Sequence, residues 1–276
     1  MSSLPSILVA FAHPDDEAFP TGGTIAHYAK LGHRVVLVCA TKGEAGQIKA
    51  PELSHVTDLG AVRVEELSAA CKALGIEPPI FLGYHDSGRN ERLRVNDSNA
   101  LHNANLWEVE AKIREVIAEV KPKVVITFDP HGGYGHPDHL VMHRAATAAF
   151  YSSGYLPDPP QRLFYSAFTI ERATQMQQSG QADSIMGGLD PKVFGVSEET
   201  IALRMDVGAY VPQKMAAALA HRSQFAQRTD QINENPERRA FFERMMAVET
   251  FALGGTRGPI PHWPLNDLLD GLEFRD

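Results

Sequence analysis

Short apolar runs alternate with helical patterns over the first half of this chain, and that alternation limits the fold more than any other feature. Residues 6–12 (SILVAFA), 34–40 (RVVLVCA), 79–83 (PIFLG) and 123–128 (KVVITF) are four such runs. Each is near-continuously apolar rather than alternating, as expected of strands covered on both faces. Between them lie segments of helical period. Residues 58–75 start at Asp58 and end at Gly75, with Leu67, Ala70, Cys71 and Leu74 on one face. Residues 106–120 align Val109, Ile113, Val116, Ile117 and Val120. Residues 21–32 are read as a helix capped by Thr21 and ended by Gly32. A further helix is expected over about 138–150.

Strand, helix and strand in repetition imply a parallel sheet with helices on both faces. The expected class is therefore α/β, with a Rossmann-like, mostly parallel sheet. One domain is expected over 1–276, with the parallel core and its site in 1–150 and a less regular, substrate-shaping portion in 151–276. In that second portion, 161–170 reads as a strand, 210–226 and 236–248 as helices, and Gly254–Pro264 as turn-rich. The polar stretch 175–200 and the loop 84–105 are expected to read the far end of a substrate, because loops at strand ends carry specificity.

Two segments concentrate chemistry, and both follow strands. His13-Pro14-Asp15-Asp16-Glu17 comes after the first run, and Tyr134-Gly135-His136-Pro137-Asp138-His139 after the fourth. Ligands of such sheets bind at the carboxyl ends of strands. Adjacent carboxylates repel unless a cation or hydrogen bonds compensate. His13 and Asp16 are three apart across a proline turn and can converge on one ion, and His136 and His139, three apart at the start of a helix, can face the same site. Imidazole nitrogen and carboxylate oxygen both suit zinc.

AHPDDE at 12–17 together with GGYGHPDH at 132–139 resembles the PIG-L/LmbE family of metal-dependent de-N-acetylases. Further similar text is GGTIAHY at 22–28, KGEAGQ at 42–47, DSG at 86–88 and HRSQF at 221–225. The resemblance implies a zinc site of His13, Asp16 and His139, with Asp15 as general base. It implies that His136 faces the oxyanion, that Asp138 orients His136, and that Tyr134 lies near the oxyanion. It implies sugar contacts from Arg63, Asp86 and Glu44. Asp15 as base also has a stereochemical reason, because neighbouring side chains diverge and Asp15 cannot readily share an ion with Asp16. The same ligand set also binds iron(II). His221 is placed to support the site from behind.

The implied reaction is removal of the acetyl group from an N-acetylglucosaminyl small glycoside, as in mycothiol or bacillithiol biosynthesis. The alternatives are an amidase acting on a thiol–sugar conjugate and a non-catalytic metal- or sugar-binding protein. A formal net charge of −8 and the lack of any basic run argue against nucleic acid. No stretch approaches a membrane span. Two cysteines in apolar segments are too few for a disulfide framework, and with no signal-like N-terminus they suggest the cytoplasm. A homo-oligomer is compatible with the sequence and not specified by it.

Overall fold

The computed structural model describes residues 4–178 and 190–272. Its frame is one seven-stranded sheet in the order β3-β2-β1-β4-β5-β7-β6. The strands are β1 (Ser6–Phe11), β2 (Val35–Thr41), β3 (Ile80–Tyr84), β4 (Pro122–Phe128), β5 (Arg162–Ser166), β6 (Ile201–Asp206) and β7 (Val248–Thr256). The first five pair in parallel, whereas β7 runs antiparallel to both β5 and β6. The parallel core expected from the four apolar runs is present, and β1, β2 and β4 are almost wholly buried.

Helices α1 (Ala18–Lys30) and α2 (Leu59–Leu74) share one face, with α6 (Val211–Ala220) packed against both. The other face carries α3 (Leu106–Val120) and α4 (Pro137–Ser152), packed on each other. Asp58 caps α2 by accepting from the Ala61 N–H at 2.9 Å, as its place in the sequence suggests. Strand order reverses between β1 and β4. That reversal is the switch point where open α/β sheets bind ligands, and both chemically loaded segments emerge there.

Several boundaries differ from the sequence reading. Helix α1 begins at Ala18, not Thr21. The Thr21 hydroxyl donates back to the Glu17 carbonyl at 3.0 Å, so it is satisfied inside the helix and caps nothing. Residues 210–226 are not one helix. They break at His221 into α6 and α7 (Arg222–Glu234), and α8 (Pro236–Met246) follows. The turn-rich reading of Gly254–Pro264 holds from 257 onward, but its first three residues belong to β7, which runs through both glycines to Thr256. A Cβ at Gly254 would lie 2.5 Å from the Tyr165 ring, and one at Gly255 2.8 Å from Phe150. These glycines are bare because rings pack on the strand, not because the chain turns. Within the polar stretch 175–200, helix α5 (Ile170–Gln178) ends at Gln178, and residues 179–189 lie outside the described residues. Both cysteines are free and buried. No helix among the described residues is long and apolar enough to cross a membrane.

Candidate metal and active centre

β1 ends at Phe11, and the next residues form a tight turn into α1. The Asp16 carboxylate accepts the His13 N–H at 2.7 Å, and the Glu17 carboxylate accepts the Asp15 N–H at 3.0 Å. Asp15 sits at φ +116°, a region that non-glycine residues seldom occupy. Such strain costs on the order of 1–3 kcal/mol and persists only where neighbours impose it. Glu17 is held in turn by His221, whose Nε2 lies 2.7 Å from Oε1. The break between α6 and α7 thus braces the turn from behind.

His13, Asp16 and His139 meet at the mouth of the switch point. His13 Nδ1 lies 3.2 Å from His139 Nε2 and 3.4 Å from Asp16 Oδ2, and His139 Nε2 lies 3.2 Å from Asp16 Oδ1. A tetrahedral ion with bonds of about 2.0–2.2 Å needs donors roughly 3.3–3.6 Å apart. The outer contacts decide which lone pairs are available. His13 Nε2 is 3.0 Å from Asp138 Oδ2 and 3.4 Å from Asp86 Oδ1, so its proton faces those carboxylates. His139 Nδ1 donates to the Gly132 carbonyl at 3.0 Å. With those partners engaging His13 Nε2 and His139 Nδ1, the ring nitrogens left toward Asp16 are His13 Nδ1 and His139 Nε2, an arrangement with the backing that metal-bound histidines usually have. The donor set fits a divalent ion.

Two other groupings of side chains are close enough to hold an ion, His13 with His136 and His139, and His13 with Asp86 and Asp138. His136 is a poor ligand, because its Nδ1 accepts the Asp138 N–H at 3.2 Å as the cap of α4. Its remaining nitrogen, Nε2, then carries the proton and is a donor. Asp86 and Asp138 are occupied by hydrogen bonds. Asp86 accepts from the N–H groups of Ala45 and Gly88, and Asp138 from the N–H and hydroxyl of Ser87. They form the shell behind His13.

The charges are unevenly placed. Burial works against protonating His13, but Asp86, Asp138 and Asp16 outweigh it and hold the imidazole well above its usual value. Burial would raise Asp16, yet His139 and His13 hold it well below the usual carboxylate range. Burial raises Asp15 to about 6 against the pull of Arg63. Burial, followed by His13 and His139, depresses His136 far below its usual value, which keeps its imidazole neutral. Burial raises the Tyr134 phenol, so it stays a donor.

The sugar-contact candidates are distributed as follows. Arg63 Nη1 donates to the Gly43 carbonyl at 2.8 Å, and Nη2 reaches the Pro14 carbonyl and lies 3.1 Å from Asp15 Oδ2. A Cβ at Gly43 would sit 2.2 Å from that guanidinium, so only glycine lets Arg63 pass. Arg63 and Asp86 line a polar pocket of about 200 Å³ beside the triad, with His136, Lys49, Arg89 and Arg92. Glu44 is not in its wall; it accepts the Asp86 N–H at 3.0 Å and braces that residue. The Asp138 carboxylate contacts His13 rather than His136, which it meets only through its backbone N–H. Tyr134 stands at the pocket edge, with the Arg89 guanidinium 5.0 Å from its ring centre. His143 points away, donating to the Phe128 carbonyl. Ser87 was not singled out from sequence, although the DSG text contains it.

Residues 8–150 match the family model described as PIG-L: GlcNAc-PI de-N-acetylase. The chain is 34% identical to a 1D-myo-inositol 2-acetamido-2-deoxy-alpha-D-glucopyranoside deacetylase of Salinispora arenicola, over 99% of this chain and 94% of that protein. It is 36% identical to the protein of the same name from Acidothermus cellulolyticus, over 97% and 95%. Among solved structures, the N,N'-diacetylchitobiose deacetylase of Pyrococcus horikoshii superposes with TM-score 0.59 at 22% identity, covering 90% of this chain and 83% of that one. GalB, the 4-carboxy-2-hydroxymuconate hydratase of Pseudomonas putida, superposes with TM-score 0.58 at 19% identity, covering 94% and 100%. These two likenesses concern the fold, which serves a hydratase as well as a deacetylase.

Proposed function

The chain belongs to the PIG-L de-N-acetylase family, and on that premise we propose that it is a metal-dependent hydrolase removing the acetyl group from an N-acetylglucosaminyl inositol. The observation that carries this reading is the triad. His13, Asp16 and His139 bring ring nitrogens and carboxylate oxygens within 3.2–3.4 Å of one another, while Asp15 beside them pairs with Arg63, which supports assigning the first three as ligands. Three protein ligands leave a fourth position open. The donor set suits zinc and also iron(II). When bound, the ion supplies a Lewis acid that acidifies a water and polarises the acyl carbonyl.

The protein's own groups do the rest. Asp15 takes the proton of the attacking water; a raised carboxyl is a better base than an ordinary one. His136, a neutral Nε2–H donor, and the Tyr134 hydroxyl face the developing oxyanion. Asp138 holds the His13 ring in the tautomer that binds metal. Arg63 fixes Asp15 and, with Asp86, presents polar atoms to the sugar. Asp15 or His136 returns a proton to the leaving amine.

A second reading of the aglycone is favoured by Lys49, Arg89 and Arg92 in the polar pocket wall, which suit an acidic group such as malate. The test is a panel of N-acetylglucosaminyl inositol, its malate counterpart and free N-acetylglucosamine, assayed for released amine alongside metal analysis. Fastest turnover is expected on the inositol glycoside. Metal and sugar binding without any amine release sinks the enzyme reading.

A further inference from the structure

Two chambers meet at the triad, and only one of them is polar. On the far side of Asp15 and Tyr134 lies a second cavity of about 160 Å³. Asp16 and His139 form its inner edge, and its walls include Phe19, Phe128, Phe168, Met176, Phe242 and Met246. They come from α1, β4, the segment after β5, α5 and α8. The one guanidinium there, Arg172, is tied to the Met245 and Val248 carbonyls. Asp15, Tyr134 and Phe225 line both chambers, whereas Arg63, Asp86 and His136 line only the polar one.

This division orients an amide. The amine half of the substrate carries hydroxyls, which an apolar wall leaves unpaired at a cost. It therefore belongs on the Arg63 and Asp86 side. The two substituents of an amide project on opposite sides of the C–N bond, so the acyl substituent enters the apolar chamber. A methyl group leaves most of that space unfilled; an apolar cavity of roughly 150 Å³ is enough for benzene.

We propose that the apolar chamber is an acyl pocket, and that the enzyme cleaves N-acyl amino sugars whose acyl group is an unbranched apolar chain of about four to six carbons. This rests on the deacylase reading and extends its substrate class beyond acetyl. The reaction balances as a hydrolysis. The water oxygen bonds to the acyl carbon, the C–N bond breaks, the amine takes up a proton, and the acyl group leaves as a carboxylate.

The test uses the metal-loaded protein with N-acetyl-, N-butanoyl-, N-hexanoyl- and N-decanoyl-glucosamine. Free amine is assayed, and binding of each amide is measured in parallel by calorimetry. Each buried methylene should raise kcat/KM and affinity by up to about fourfold through hexanoyl. Decanoyl should gain nothing more, because the chamber is full. Met176→Trp and Met245→Trp, at two positions of the chamber wall on different helices, should each lower the hexanoyl-to-acetyl ratio by about tenfold or more. A flat or falling series in both turnover and binding overturns the inference. So does a hexanoyl gain that survives both tryptophans. Binding that tightens with chain length while no amide is cleaved leaves the pocket standing and removes the enzyme reading instead.

Discussion

Two of the buried charged clusters among the described residues are built on opposite plans. Lys214 and Glu249 are fully buried and 2.6 Å apart. Every strong partner is internal. Glu249 accepts the Gly23 and Thr24 N–H groups of α1 at 2.8 Å each, and Lys214 also donates to the Met246 carbonyl. That cluster is closed and ties α1 to β7. The His13–Asp16–His139 cluster is also buried, but its ring and carboxylate atoms pair chiefly with one another and its neighbour Asp15 is strained and raised. Burial of charge alone therefore marks nothing. Metal-ligating donor types crowded within 3.2–3.4 Å of one another, beside a carboxylate outside that grouping, are the arrangement a cation would use.

The contrast can be sharpened by substitution. His136→Ala should retain metal and lose about 10²–10³ in kcat, the usual cost of one oxyanion donor. Loss of metal in that variant would make His136 a ligand and return Asp16 to the second rank. Lys214→Met should do the reverse. It leaves Glu249 uncompensated, and denaturant unfolding should report about 3–5 kcal/mol of lost stability. Metal content and kcat of the folded fraction should be unchanged. A large fall in kcat there would erase the distinction between the two clusters.

A smaller effect concerns pH. Asp15 must be ionised to act as a base, so activity should rise with pH through its folded value and fall below it. Burial sets that value near 6, and a bound cation can only lower it, so the acid limb of kcat/KM should lie at or below about pH 6. Arg63 pulls the same carboxyl down. Arg63→Met should move the limb upward, and Arg63→Lys should largely restore it. A limb that ignores both changes belongs to another group.

The parallel half of the fold was legible because β1, β2 and β4 are covered on both faces and so read as unbroken apolar runs. The antiparallel part was not. β7 contains two glycines whose purpose, seating Tyr165 and Phe150, exists only in three dimensions. The motif residues of the site were visible as text, and their convergence followed from the strand-end rule. Their support was less so. That Glu17 answers to His221, 204 residues away, is a tertiary fact, although the HRSQF text drew notice to that histidine. The family resemblance implies that Asp138 orients His136; the fold brings its carboxylate to His13. Phe241, Phe242, Met245 and Met246 form two apolar pairs on helix α8. Phe242 and Met246 are buried in the core, but with half-buried Met245 they also wall a chamber, and apolarity on a helix face cannot distinguish the two.

The division of labour between adjacent carboxylates is the most exposed part of this picture. It is settled by measuring metal stoichiometry and turnover together in Asp15→Ala and Asp16→Ala. Asp15→Ala should keep about one equivalent of metal and lose nearly all turnover, whereas Asp16→Ala should lose both. Metal lost from Asp15→Ala and retained by Asp16→Ala would exchange their roles and undo the reading of the site.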